Sequence, residues 1–281
     1  MSTSERDWMS RRNEGQMSPP WSVTKWLIVI NSAIFLLGLF WRIPVASGEN
    51  ISAPMYYGAY TVHAVWGEGQ FWRLITYQFI HANMGHLLFN MIALYFFGSL
   101  MEDIIGRRRY LLFYLLCGIA GALFSSLLAS FGLFEKGELF TGWSLIPMVG
   151  ASGSIYGILA AGAVIFPTTR VRLLLPPVEM SLRTLVLFLL GLALLFIIFN
   201  WENAGGEAGH LGGMIMGFLL IQLPFFRRQL TARHPASPAP SDRETVNRLL
   251  DKVSREGLHS LTDRERAFLL SASERLKQKD K

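Results

Sequence analysis

The chain has 281 residues, of which 51% are apolar and only 16% charged, and its mean hydropathy is +0.34. A soluble domain of this size would scatter charge through every helix, whereas here the charges avoid the long apolar runs, so the composition excludes an ordinary soluble protein and points to a polytopic membrane protein. The net charge of +6 does not argue for nucleic acid, because basic residues gather in the cytoplasmic loops of membrane proteins and no nucleic-acid-binding motif accompanies it.

Residues 1–21 are polar, contain Arg6, Arg11 and Arg12, and end on Pro19-Pro20 and Trp21. A disordered cytoplasmic tail is expected there, with no removable signal peptide. The first apolar span is expected from Val23 to Trp41, since crossing ~30 Å of hydrocarbon takes ~20 helical residues; Arg42 and Pro44 stop it. Residues 45–72 form a long connection rich in aromatics (Tyr56, Tyr57, Tyr60, Trp66, Phe71, Trp72), a composition suited to the headgroup boundary. The second span is expected over Leu74–Met101, ending at Glu102-Asp103. Arg107-Arg108-Arg109 precede a third span, Tyr110–Phe131. It contains Cys117, the single cysteine, which excludes an intrachain disulfide and reads as a small buried filler.

A loop over 132–148 leads to a short fourth span, Ser152–Phe166, closed by Pro167. A basic turn at 170–183 precedes a fifth span over Leu182–Asn200. A Gly-rich link, Trp201–Glu207, opens a sixth span, Ala208–Phe226, closed by Arg227-Arg228. Lysine and arginine concentrate in the N-tail, at 107–109, at 170–183 and after 227. The alternate loops carry mainly Glu49, Glu68, Glu135, Glu138, Glu202 and Glu207. By the positive-inside rule both termini are cytoplasmic, and spans two, four and six start on the outer side.

Beyond this membrane domain, 22–228, a Pro/Ser linker over 229–242 leads to residues 243–281, where two amphipathic helices are expected. The first carries Val246, Leu249, Leu250 and Val253 on one face and ends at Gly257. The second opens on Thr262-Asp263-Arg264-Glu265, a capping-box pattern. A helical hairpin this small buries little by itself. It is expected either to dock on a protein partner or the membrane surface, or to serve as a solubilising tail.

Two small-residue runs stand out, Gly150-Ala151-Ser152-Gly153-Ser154-Ile155-Tyr156-Gly157 and Ala208-Gly209-His210-Leu211-Gly212-Gly213 through Gly217. Each opens an apolar helix, and together they place Ser152 and His210 each at the same end of its own span, as a nucleophile and its base would be. Fifteen residues of helix from Ser152 rise ~22 Å, less than the ~30 Å core, so Ser152 is expected below the outer surface in a wet dent. Gly153 and Gly157, continued by Ala161, face Gly213 and Gly217 as small-xxx-small surfaces on which membrane helices touch backbone to backbone. Tyr156, one turn below Ser152, is placed to stack on the imidazole. His86 and Asn90 are four apart on one helical face. Exposure to lipid would be costly for them, so they are expected to face an interior cavity and, with the Ser152 N–H, to offer donors to a developing oxyanion. His81 lies nearby. Nothing in the pattern calls for a metal or a cofactor.

Taken together, these residues resemble the rhomboid intramembrane serine proteases. The likeness covers residues 22–228 and rests on Trp72-Arg73, on His81 through His86 to Asn90, on Glu102, on Gly150-Ala151-Ser152-Gly153 with Tyr156, and on His210 with Gly213 and Gly217. It implies an all-α bundle of six transmembrane helices and a Ser152–His210 dyad without a third acid. It also implies an oxyanion hole built with His86 and Asn90, and structural tethers at Arg73 and Glu102. The implied substrates are transmembrane protein segments in the lipid bilayer, cut near the outer leaflet and entering beside span five. The link Asn203-Ala204-Gly205-Gly206 is a candidate lid. One departure is Gly209, where the family usually has alanine. The rival readings are a catalytically inactive relative that binds membrane proteins, and a small transporter, for which the inverted repeat and the buried coupling carboxylate are lacking. The expected location is a bacterial inner membrane.

Overall fold

The computed structural model describes residues 21–45, 48–132, 147–173, 177–199, 203–226 and 242–279. The N-terminal tail with its expected disorder, most of the loop at 132–148, Asn200 to Glu202, Arg227-Arg228 and nearly all of the Pro/Ser linker lie outside them. The chain divides into two compact units, residues 1–229 and 230–281.

The first unit opens with α1 (Val23–Phe40), whose N-terminus is held in two ways. Ser22 Oγ accepts the Lys25 N–H in a local N-cap, which satisfies one of the donors every helix start leaves over. Glu102, far along the chain and buried, accepts the Val23 and Thr24 N–H groups at 2.9 and 2.8 Å and the Thr24 hydroxyl at 2.8 Å. A carboxylate at this end also complements the helix dipole. Of its residues α1 buries only a strip, Thr24, Leu27, Asn31 and Gly38.

The aromatic connection that follows is more ordered than a plain loop. Strands β1 (Arg42–Pro44) and β2 (Asn50–Ser52) pair antiparallel, with Ile43 opposite Ile51. Ser52 then caps α2 (Ala53–Gly58) by accepting the Met55 N–H. Pairing satisfies backbone groups that have no helical partner, which is why this segment departs from an all-α description. Arg73, buried, gathers the connection by donating to the Ala59 carbonyl at 2.6 Å, the Tyr56 carbonyl at 2.8 Å and Gln70 Oε1 at 2.5 Å.

The second expected span does not run unbroken from Leu74. A single turn, α3 (Arg73–Thr76), tightens into a 3₁₀ turn at Tyr77–Phe79, and Ile80 is extended. A new helix, α4 (Met84–Ile105), begins after Asn83, whose Oδ1 accepts the His86 N–H at 2.9 Å. Asparagine is among the best N-caps, and this one puts His86 in the first turn of α4. Gly106, at φ +81°, turns the chain into α5 (Arg107–Ser130). Helices α1, α4 and α5 are long and apolar enough to cross a membrane.

Two shorter apolar helices follow, α6 (Ser152–Ile165) and α7 (Leu182–Ile198), joined through an antiparallel pair, β3 (Arg170–Arg172) and β4 (Glu179–Ser181). The last helix of the unit is α8 (Ala204–Gln222), which packs mainly on α6 and α5 with α7 along its flank. A side chain at Gly213 or Gly217 would overlap the Gly153 and Gly157 carbonyls, and one at Gly212 would crowd the Ala120 carbonyl. Several polar groups inside the bundle are paired: Tyr77 donates to the Gly118 carbonyl at 2.6 Å, and Ser154 donates to the Tyr114 carbonyl at 2.7 Å beside Gln78.

The second unit contains α9 (Asp242–Glu256), Gly257 at φ +82° and α10 (Asp263–Lys279). At the start of α10, Thr262 Oγ1 accepts the Glu265 N–H, while the Glu265 carboxylate accepts the Thr262 N–H at 2.8 Å. Lys252 of α9 donates to the same carboxylate at 3.0 Å. The Thr262 backbone bond first, then Lys252 and the Thr262 hydroxyl, hold the Glu265 carboxyl down to about 2.

Replacing Glu102 by alanine leaves the buried Thr24 N–H and the half-buried Val23 N–H without acceptors, and thermal unfolding in detergent should show a loss of roughly 3 kcal/mol. Glu265→Gln should speed amide exchange in the first turn of α10 at neutral pH. The native carboxyl sits below its unfolded value, so its contribution is complete above the unfolded range. The difference from wild type should therefore fade as pH falls toward about 2.

Candidate active site

The approach to α6 is fixed by backbone bonds before any side chain is considered. Tyr60 and Met148 exchange N–H···O bonds at 3.0 and 2.8 Å, and the Gly150 N–H donates to the Tyr77 carbonyl at 3.0 Å. Gly150 has φ +122°, a conformation that glycine adopts without steric cost. The chain thus turns sharply into α6, and Ser152 is its first residue. The N–H groups of that first turn have no intrahelical acceptor.

His210 comes from α8, and the start of this helix differs from the expectation. Helix α8 begins at Ala204, a turn before Ala208, so Ala204, Gly205 and Gly206 are helical and do not form a flexible link. Two glycines disfavour a helix start by about 1 kcal/mol each, but packing overrides this: Ala204 and Gly205 are buried, and the Gly205 carbonyl accepts the Ser125 hydroxyl at 3.1 Å. The Ala204–Gly206 part of the expected lid is therefore packed helix; Asn203 precedes it in the left-handed conformation, φ 69°.

With α6 and α8 in backbone contact, His210 Nε2 lies 2.8 Å from Ser152 Oγ, across 58 residues of chain. The Tyr156 ring stacks on the imidazole with centroids 4.1 Å apart and planes 12° from parallel. The other ring nitrogen, Nδ1, lies 3.0 Å from Glu207 Oε2. Gly209 packs against Met148: a Cβ there would come 2.9 Å from the Met148 sulfur, the yielding part of a flexible side chain.

His86 and Asn90 reach the same place from α4. A Cβ on Gly150 would lie 2.7 Å from His86 Nε2 and 3.5 Å from Asn90 Nδ2, so both side chains end against the backbone just ahead of Ser152. Asn90 Nδ2 is buried and has no acceptor among the described residues. An unpaired buried donor costs about 1–3 kcal/mol, a cost relieved when an acceptor is bound. His81 is buried behind His86, ring edge to ring face at 5.0 Å, and neither of its nitrogens has a partner among the described residues.

Other residues singled out in the sequence lie elsewhere. Trp72 is exposed and donates from Nε1 to the Tyr57 carbonyl at 3.1 Å. Arg73 serves the first connection. Glu102 sits sixteen residues beyond His86 on the same helix, about 24 Å along its axis, near Arg107 at 3.6 Å. Gly153, Gly213 and Gly217 form the α6–α8 contact. Among the described residues no cluster suited to a metal ion occurs.

The fold and this geometry can be set beside known proteins. The model of the Rhomboid domain matches residues 68–226. The chain belongs to the rhomboid family. The rhomboid protease GluP of Bacillus subtilis is 33% identical over 156 residues, 54% of this chain and 25% of GluP. The rhomboid protease AarA of Providencia stuartii is 29% identical over 203 residues, 71% of each chain. RHOMBOID-like protein 1 of Arabidopsis thaliana is 28% identical over 185 residues, 65% of this chain and 43% of that one. The chain therefore spans a quarter of GluP and under half of the Arabidopsis protein. Family membership and the apolar helices make this rhomboid an integral membrane protein.

Sequence reasoning missed Glu207, placing it in a link. The signal was present: Glu207 and His210 are three apart, neighbours on a helix face, once α8 is allowed to start early. In this rhomboid, Gly213→Ala should push α6 and α8 apart. Overpacking of this kind costs about 1–3 kcal/mol, and the thermal midpoint in detergent should fall accordingly.

Proposed function

We propose that this rhomboid is an intramembrane serine endopeptidase that cuts transmembrane segments near the outer leaflet. The observation that carries the reading is the 2.8 Å approach of His210 Nε2 to Ser152 Oγ, at the start of a helix whose first N–H groups are open. Helices α1, α4, α5, α6, α7 and α8 are the six spans, with both termini in the cytoplasm of a bacterial cell and the starts of α4, α6 and α8 toward the outside. At 14 residues, α6 is about 21 Å long, which sets Ser152 below the surface of a ~30 Å core.

The chemistry follows nucleophile–base logic. Neutral His210 takes the Ser152 proton as Oγ bonds to the scissile carbonyl carbon. The resulting oxyanion is held by Asn90 Nδ2, His86 and the Ser152 N–H. His210 then gives the proton to the departing amine as the C–N bond breaks. A water molecule, activated by the same imidazole, hydrolyses the acyl-serine. A carbonyl inside an intact helix is already hydrogen-bonded and shielded, so preferred substrates carry helix-weakening residues near the cut. Tyr156 keeps the ring in plane by stacking, and Gly150 keeps the space beside His86 and Asn90 open.

A fluorophosphonate should label the purified wild-type protein and fail to label Ser152→Ala or His210→Ala, while all three share one thermal midpoint to within a few degrees. Equal labelling of Ser152→Ala would remove Ser152 as the nucleophile.

A further inference from the structure

We infer that Glu207 is a positioning residue for His210, making the pair at the heart of this rhomboid a three-membered Ser152–His210–Glu207 relay. The inference rests on the peptidase reading above and deepens it. A carboxylate can only accept hydrogen bonds. With Glu207 Oε2 at 3.0 Å from Nδ1, the ring proton belongs on Nδ1, which leaves the Nε2 lone pair facing the Ser152 hydroxyl at 2.8 Å. That is the tautomer a general base needs. The carboxylate also favours the imidazolium that forms when the serine proton arrives, as an acid behind a histidine does in serine hydrolases of unrelated fold.

A plainer account is that Glu207 complements the dipole at the start of α8, as an acidic residue in a first turn does. That account explains a glutamate here but not its direction. A side chain serving only the dipole is free to stay in water, whereas the Glu207 and His210 side chains are each only 15% exposed and face one another. The i, i+3 spacing on α8 sets the pair without help from a loop. Tyr156, stacked on a face of the ring, restrains the plane of the imidazole while its Nδ1 edge meets the carboxylate. The groups around His210 are then Ser152 and Tyr156 from α6, Glu207 from α8 and, at longer range, His86 from α4. Among the described residues, Glu207 is the one carboxylate in this group.

The test is steady-state cleavage of a transmembrane substrate in detergent by wild type, Glu207→Gln, Glu207→Asp and Glu207→Ala, each followed across pH with its thermal midpoint measured. Glu207→Gln keeps the shape and loses the charge. The expected result is a fall in kcat of about 10- to 100-fold with KM unchanged. The acid limb of its kcat profile should be displaced from that of wild type, because the carboxylate that faces the imidazole is gone. Glu207→Asp, which keeps the charge on a shorter arm, should recover part of the rate. A merely structural role would lower the thermal midpoint and leave the acid limb where it was. Wild-type kcat and an unmoved limb in Glu207→Gln overturn the relay while leaving the peptidase reading intact. A wild-type protein that neither cleaves nor takes the fluorophosphonate label at Ser152 overturns both.

Discussion

Everything at the site depends on one contact, the direct apposition of the α6 and α8 backbones. Lipid tails are as apolar as leucine, so helices in a bilayer gain little from hiding apolar side chains on one another and depend on close packing. Gly153 and Gly157 on one side and Gly213 and Gly217 on the other leave no side chain between the two backbones where they meet. Only at that separation can a hydroxyl as short as serine's meet an imidazole from the neighbouring helix. The burial pattern agrees: α6 and α8 are enclosed along much of their length, while α1 and α7 bury a narrow strip.

Around this pair the chain uses charged groups as fasteners at the ends of helices, where backbone polar groups are left over. Glu102 closes the start of α1 onto the end of α4, and Arg73 gathers three acceptors of the first connection. Both are buried yet fully engaged, which is the condition under which a buried charge is tolerated. The bridge between Tyr60 and Met148 then carries the order of that connection to the residues just ahead of Ser152. The first connection is thus part of what presents the serine, although it is far from it in sequence.

Membership of the rhomboid family gives this arrangement its context, and the geometry adds a feature of its own. The imidazole is engaged on both nitrogens and on one face, by Ser152, Glu207 and Tyr156. A ring held at three points has little freedom to reorient, so its role is set by position as well as by chemistry. Asn90 and His86 complete the surroundings from a third helix, against the Gly150 backbone.

The sequence by itself determined where apolar helices lie, which residues are small enough for close approach, and which few polar side chains the apolar runs contain. These follow from composition and from the 3.6-residue period, both local properties. It also marked the capping box at Thr262–Glu265, because that motif closes within four residues. The starts of α4 and α8 were decided only by tertiary structure. Asn83 interrupts a run that reads as continuous helix, and burial against α5 makes helix of a glycine-rich stretch that reads as a link. The two antiparallel pairs were not legible either, because strands of three residues are too short to show an alternating period. Glu207 is the clearest case. Its meaning rests on being one helical turn from His210, and that turn exists only because packing outweighs the conformational freedom of two glycines.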